Sequence, residues 1–184
     1  QFVLEKTPAW LDKYGKETAF FCTNDAQTEP LLKQIAKYGG IFVEPDLPSP
    51  LMGYPGALGI DLSAEAGDFP AIMKKVEQAV IDAGGKGRMG TWSYSFGWST
   101  VCALAEYGKR ITEGEAKLYR LKDLWACYDK YTPGAQWMGS EYLDMATQVK
   151  MRNFLLVYQD TYIFGKGYMD ITKVQVPEKF MTIK

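Results

Sequence analysis

Histidine is absent from this sequence of 184 residues, which excludes several kinds of site within the chain. Serine–histidine and cysteine–histidine catalysis both need an imidazole base, and many metal sites need imidazole ligands. The three cysteines (Cys22, Cys102 and Cys127) are far apart and form no Cys-x-x-Cys pair. We therefore expect buried free thiols, and we predict no metal, redox site or cofactor.

Long apolar runs and basic clusters are also lacking. A membrane-spanning helix needs roughly 20 consecutive apolar residues, and no stretch approaches that length. The formal net charge is −1, and the basic residues reach no more than a pair such as Lys74–Lys75. The glycines at 84–88 and 165–167 lack the spacing of a nucleotide-binding loop. The sequence thus predicts neither nucleic-acid nor phosphate binding.

A strand, a polar corner, a helix and a second strand follow one another between residues 17 and 44. The apolar run at 19–22 leads into the corner Thr23-Asn24-Asp25, and a helix with a glycine stop at Gly39 or Gly40 comes next. This order predicts a βαβ unit with parallel strands. Because ligands bind beyond the carboxyl ends of such strands, the corner is the first candidate binding site.

The remaining pattern alternates between predicted helices and strands. Asp68 is the expected N-cap of the clearest helix, whose apolar residues recur at spacings of three, four and seven. Further helices are predicted at 98–111, 116–131 and 140–151. Strands are predicted at 56–61, 92–96, 153–158 and 172–176.

Two groups of residues are candidates for ligand contact. Asn24 and Asp25 are predicted polar anchors, with Gln27 at the start of the following helix, although both corner residues are also typical helix caps. Trp92 and Tyr94, which alternate with Phe96, offer an aromatic surface for a flat ligand, or else they pack in the core. Tyr54 in the proline-rich loop, and Asp160 with Tyr162 after the last strand, are weaker candidates for the same cleft.

Four stretches resemble a bacterial family of uncharacterised lipoproteins with the periplasmic-binding-protein-like (type 1) fold. They are 17–24, 48–50, 53–60 and 87–92, and the similarity extends from Gln1 to about Ile111. The resemblance implies an α/β, three-layer α/β/α fold with a mostly parallel, doubly wound sheet. It implies that the chain is the C-terminal half of a two-lobed protein whose N-terminal lobe is absent. On this reading residues 1–86 are βα units of the second lobe, 87–115 a crossover towards the first, and 116–184 C-terminal helices and a strand.

The same resemblance implies a non-catalytic protein that binds a small-molecule solute in a cleft between lobes. It would lie outside the cytoplasmic membrane, anchored through an upstream lipid-modified segment, and would serve a membrane transporter. A chain without its first lobe is expected to self-associate or to carry a partner chain, because the surface that the lobe covered is apolar. One alternative is the effector-binding domain of a cytoplasmic transcription regulator of related fold. A second alternative is an enzyme that uses a carboxylate such as Asp25 or Asp160, which predicts a raised carboxylate pKa in a closed pocket.

Overall fold

The computed structural model of the chain describes residues 1–173, and about 46% of them are helical. The α-helices are α1 (Phe2–Tyr14), α2 (Thr28–Tyr38), α3 (Tyr54–Leu58), α4 (Phe69–Asp82), α5 (Phe96–Thr112) and α6 (Leu121–Tyr131). The strands are β1 (Ala19–Phe20), β2 (Ile41–Phe42), β3 (Gly90–Thr91), β4 (Trp137–Asp144), β5 (Val149–Gln159), β6 (Tyr162–Ile163) and β7 (Gly167–Tyr168). Short 3-10 turns at Asp25–Gln27, Ser63–Glu65 and Ile171–Lys173 complete the described part.

The first of two hydrophobic cores is built by the elements before α5, together with β6. Its fully buried members include Phe42, Val76 and Phe164, and α2 and α4 contribute their apolar faces. The Asp68 carboxylate accepts a hydrogen bond from Ala71 N at 3.0 Å, which caps α4 as predicted. The predicted βαβ unit is also confirmed, because β1 and β2 are parallel and α2 lies between them.

The second core is smaller and lies between α5, α6 and the β4–β5 hairpin. Its buried members are Ala103, Leu124, Cys127 and Tyr128, and Trp137, Leu155 and Val157 of the hairpin pack against them. The chain passes from the first core to the second at residues 92–95 and returns at 159–161. These two crossing segments therefore connect the two cores.

The expected doubly wound parallel sheet is wrong. The described residues form three small sheets of two or three strands, in the orders β1-β2, β3-β6-β7 and β4-β5. Only β1–β2 is parallel among the strand pairs, and a single parallel bridge joins Phe42 to Met89. The strands of the parallel pair are two residues long, and the segment predicted to supply the next strand folds as a helix.

Two predicted elements fold differently because of local and tertiary effects. The predicted strand at 56–61 begins as α3, since Pro55 in its first turn favours helix and Gly59, at φ 68°, ends it. The predicted helix at 140–151 is instead the β4–β5 hairpin, whose turn is held by the Asp144 carboxylate bonded to Ala146 N. Packing against α6 overrides the helical pattern there. Of the strand predicted at 172–176, Thr172 and Lys173 lie in a 3-10 turn and the rest lies outside the described residues.

Glu106 joins α5 to α6 through a buried carboxylate with three partners. It accepts from Arg110 Nε at 2.9 Å, from Lys130 Nζ at 2.8 Å and from Tyr131 Oη at 3.2 Å. The Lys130 ammonium first, and then the Arg110 guanidinium, lower the pKa of Glu106 to about 2 from an ordinary 4.5. Because the folded pKa is the lower one, the contribution of this group to stability is present above pH 4.5.

We expect the stability of the Glu106→Gln variant to fall less steeply than that of the wild type as the pH drops from 4.5 towards 2. The wild type loses the Glu106 contribution as the pH falls from 4.5 towards 2, whereas the amide cannot titrate. Urea unfolding midpoints measured from pH 7 downwards check this, with Glu113→Gln as the control, because Glu113 lies 3.9 Å from Lys109 in an exposed pair. Parallel pH curves for the wild type and Glu106→Gln would contradict the assignment.

The second core leaves apolar side chains exposed on its outer surface. Val101 is 69% exposed, and Leu104, Leu118 and Leu156 are each more than half exposed. Apolar surface of this kind marks contact sites for other protein surfaces. The expected self-association or partner chain stays a prediction.

Candidate functional site

The polar corner after β1 is occupied by local structure. Asn24 Oδ1 accepts from Ala26 N at 3.0 Å and caps the 3-10 turn Asp25–Gln27. Asp25 Oδ1 accepts from Leu47 N at 3.3 Å and so fastens the proline-rich loop. Gln27 is exposed at the end of the turn. The observed contacts of Asn24 and Asp25 are therefore structural: Asn24 caps a turn, and Asp25 connects that turn to the loop.

Tyr54 and Asp160, two of the weaker candidates for the same cleft, are fully buried. Tyr54 Oη donates to Gly90 O at 2.7 Å, and its ring packs edge-on against Phe42 and Phe164. The Asp160 carboxylate accepts from Asp170 N at 2.7 Å and from Ile171 N at 3.4 Å. Both residues therefore hold the fold together.

Trp92 and Tyr94 lie on the first crossing segment, where strand structure ends at Thr91 and α5 begins at Phe96. The strand predicted at 92–96 is therefore wrong, because residues 92–95 form a bend after β3 and Phe96 is already helical. Phe96 is exposed, while Trp92 and Tyr94 are buried. Trp92 packs edge-on against Trp137 and Tyr158 of the hairpin. Trp92 therefore packs in the core, which was the alternative interpretation of the aromatic pattern.

Gln159, at the end of β5, fastens the two crossing segments to each other. Its buried side-chain oxygen accepts from Ser93 N at 2.8 Å, from Ser93 Oγ at 3.0 Å and from Tyr94 N at 3.3 Å. Two of these donors are backbone amides, so this atom of the side chain must be the oxygen. The Gln159 NH₂ group has no hydrogen-bond partner in the described residues although it is buried.

A pocket of about 300 Å³ opens beside this junction, and we call it the tyrosine pocket. Its walls come from α4 of the first core, from the first crossing segment, from the turn after α6 of the second core, and from β6 and β7. The lining residues are Pro70, Met73, Lys74, Glu77, Ser93, Tyr94, Pro133, Gly134, Tyr162 and Tyr168. Ligand sites in proteins are commonly concave, largely apolar and about 300–1,000 Å³ in volume, so the tyrosine pocket lies at the small end of that range.

Each tyrosine hydroxyl of the pocket already donates its proton to a protein acceptor. Tyr94 donates to Pro133 O at 3.0 Å, and Tyr162 donates to the Glu77 carboxylate at 3.1 Å. Ser93 Oγ gives its own proton to Gln159, so Tyr168 must be the donor in the 2.7 Å contact between Tyr168 and Ser93. Burial raises the pKa of all three phenols, which keeps them protonated at neutral pH.

A second polar group follows β2 and was not foreseen as a site. Glu44 Oε2 accepts from Thr161 Oγ1 at 2.9 Å, so the Tyr158 hydroxyl must donate to Thr161 in their mutual contact. Burial raises the pKa of Glu44, and the Thr161 hydroxyl partly opposes this rise. These partners lie within the protein, and Glu44 does not line the tyrosine pocket.

Two of the residues singled out from sequence, Tyr94 and Tyr162, thus meet in one pocket, and the other candidates do not join them. The sequence pattern missed Tyr168, Lys74 and Glu77. Lys74 and Glu77 belong to the solvated face of a well-patterned helix, and Tyr168 follows a glycine turn. A polar helical pair gives no sequence signal that distinguishes a pocket wall from a solvated surface.

Two kinds of feature are not found in residues 1–173. No group of three or more histidine, cysteine, aspartate or glutamate side chains there is placed to hold a metal ion. None of the helices in the same range is long and apolar enough to cross a membrane.

Sequence comparisons place the chain among proteins whose function is not defined. A Treponema pallidum (strain Nichols) protein described as uncharacterized is 32% identical over 79 residues, and the match covers 89% of that protein and 42% of this chain. The chain belongs to the same family as this treponemal protein. Residues 1–90 match the model of a family described as protein of unknown function (DUF3798), and a second family model without a functional description matches residues 101–183.

The chain matches about a third of the length of another, longer relative. This uncharacterized protein, also from Treponema pallidum (strain Nichols), is 39% identical over 80 residues, which are 44% of this chain and 35% of the relative. None of these descriptions names a lipoprotein, so the predicted lipoprotein family and membrane anchor stay predictions.

A solved structure shares the fold of most of the chain. It is a Clostridium difficile 630 protein described as a "Putative transcriptional regulator", with a TM-score of 0.73 and 19% identity. The match covers 89% of this chain and 45% of that one. At this identity the likeness concerns the fold alone. The expectation of a periplasmic solute-binding protein is corrected, because neither this neighbour nor the sequence relatives are described as solute-binding proteins.

Proposed function

We propose that this chain is the effector-binding part of a regulatory protein and that a small molecule binds in the tyrosine pocket. The observation that carries the proposal is the origin of the pocket walls. Met73 and Glu77 belong to a helix of the first core, whereas Pro133 and Gly134 follow a helix of the second. A ligand in this pocket contacts both cores at once.

Such a position suits a regulator because a ligand shifts a conformational equilibrium only when it binds one arrangement better than another. The crossing segments at 92–95 and 159–161 are the places where the two cores could rotate relative to each other. A ligand that bridges the tyrosine pocket favours the arrangement in which its walls are close. The catalytic alternative has less support, because Asp25 and Asp160 bond backbone amides and lie outside the pocket.

The Clostridium difficile neighbour supports the proposal only by analogy, because it shares the fold and is described as a transcriptional regulator. On this proposal DNA contact belongs to another part of the regulator, since the sequence has net charge −1 and no basic cluster. We therefore expect this chain alone to leave the mobility of duplex DNA unchanged in a gel.

Thermal unfolding with a panel of metabolites tests the proposal. A compound present at a hundred times its dissociation constant stabilises the folded state by about 2.7 kcal/mol, which raises the melting temperature of a domain this size by roughly 5–10 °C. We expect at least one compound to stabilise the wild type and to lose that effect in Tyr168→Ala. Tyr14→Ala is the matched control, because Tyr14 is 62% exposed on α1.

The control variant should respond to the same compound as strongly as the wild type does. A compound that stabilises Tyr168→Ala and the wild type equally would place the ligand elsewhere. A panel of broad chemistry with no stabilising compound would contradict the proposed function itself.

A further inference from the structure

We infer that the ligand of the tyrosine pocket is a small flat ring that carries an anionic group and, at a separate position, a hydrogen-bond donor. This inference rests on the function proposed above and specifies the chemistry of the same site. It follows from which hydrogen-bonding positions the pocket leaves open, from its one lysine, and from its apolar walls.

The hydroxyl groups of the pocket tyrosines can accept hydrogen bonds from a ligand, but their own protons are already used. The protons of Tyr94, Tyr162 and Tyr168 are already donated to Pro133 O, Glu77 and Ser93. A phenol oxygen that has donated its proton retains lone pairs that accept from a ligand. Hydroxyl or amine donors on the ligand match these oxygens, whereas a second acceptor in the same place would be left unpaired.

Lys74 supplies the opposite chemistry. It lies one helical turn before Glu77 on α4 and lines the same pocket with an exposed side chain. The Glu77 carboxylate accepts hydrogen bonds from Tyr162 Oη and, at 2.7 Å, from Gly165 N. Lys74 forms no ion pair within residues 1–173. An ammonium group with three donors and no anionic partner among the described residues favours a carboxylate or another anion on the ligand.

The walls between these polar groups are flat and apolar. Tyrosine rings, the Met73 side chain and the rings of Pro70 and Pro133 line the pocket, and its volume is about 300 Å³. Aromatic faces bind flat rings by offset or edge-on stacking. A single ring with two substituents is therefore a better match than a large or purely aliphatic molecule.

Titration calorimetry with three related probes tests this inference. 4-Hydroxybenzoate carries the ring, the anion and the donor, benzoate lacks the donor, and phenol lacks the anion. We expect 4-hydroxybenzoate to bind about tenfold or more tightly than either of the others, because phenol has no anion for the Lys74 ammonium and benzoate has no hydroxyl to donate to the tyrosine oxygens. In Lys74→Gln its advantage over phenol should disappear, and in Lys6→Gln, a matched exposed helical lysine, it should remain.

The possible failures separate the ligand class from the proposed function. Equal affinity of the wild type for phenol and 4-hydroxybenzoate, or an unchanged advantage in Lys74→Gln, would overturn the anionic class. If none of the three probes binds but a compound of other chemistry stabilises the wild type and not Tyr168→Ala, the pocket stands and the inferred class is wrong. If no compound of any chemistry depends on Tyr168, both the class and the proposed function fail.

Discussion

Replacing Gln159 with methionine should lower the free energy of unfolding by about 2–4 kcal/mol, because two buried backbone amides lose their acceptor. The amides are those of Ser93 and Tyr94, and the Ser93 hydroxyl loses the same oxygen. Methionine has nearly the same volume, so the change tests hydrogen bonding and leaves little cavity. It also removes an NH₂ group that has no partner among the described residues, which offsets part of the loss.

Urea unfolding of Gln159→Met and of Gln78→Met measures this effect. Gln78 is exposed on α4, and within residues 1–173 its side chain bonds only that of Asp82, so its replacement should change stability by less than about 0.5 kcal/mol. Gln159→Met should also weaken ligand binding, since Ser93 and Tyr94 line the tyrosine pocket. Equal stability of the two variants would show that Gln159 does not fasten the crossing segments.

Replacing Tyr54 with alanine should cost about 3–5 kcal/mol, the usual effect of removing a large aromatic side chain from a core. Tyr54 is fully buried, and its ring contacts Phe42 and Phe164 at centroid distances of 6.1 and 5.1 Å. Tyr54→Phe keeps the ring but deprives Gly90 O of its donor, and we expect a loss of about 1–2 kcal/mol. Denaturant unfolding of both variants, with the exposed Tyr14→Phe as control, checks the order of the two effects.

The same variants distinguish a core residue from a ligand contact. Tyr54→Phe should bind pocket ligands as the wild type does, because Tyr54 does not line the tyrosine pocket. Loss of ligand binding in Tyr54→Phe with stability unchanged would restore Tyr54 to the binding site that the sequence suggested.

Local signals in the sequence predicted the elements that depend on local chemistry. Asp68 and the apolar face from Phe69 to Val80 determine α4 by themselves, and α4 appears where the pattern places it. The βαβ order was likewise predicted, since a short apolar strand, a capped corner and an amphipathic helix are each visible in the sequence. Such features need no knowledge of distant residues.

The hairpin and the tyrosine pocket depend on residues far apart in the chain. Glu141 and Tyr142 belong to a stretch that reads as helix, yet they pair with residues of β5 because Leu155 and Val157 pack on α6. The pocket unites Met73, Tyr94, Pro133 and Tyr168, which no short motif connects. Asn24 and Asp25 had the stronger local signal, but Asn24 caps the 3-10 turn and Asp25 fastens the proline-rich loop.

Amide hydrogen exchange in the presence of a stabilising compound tests the central claim most directly, namely that a ligand bridges the two cores at the tyrosine pocket. We expect slower exchange in three separate segments, around Met73 to Glu77, around Gly134 and around Tyr168, with Tyr168→Ala abolishing all three changes. Protection confined to the corner at Asn24 to Gln27, or to one core alone, would contradict it.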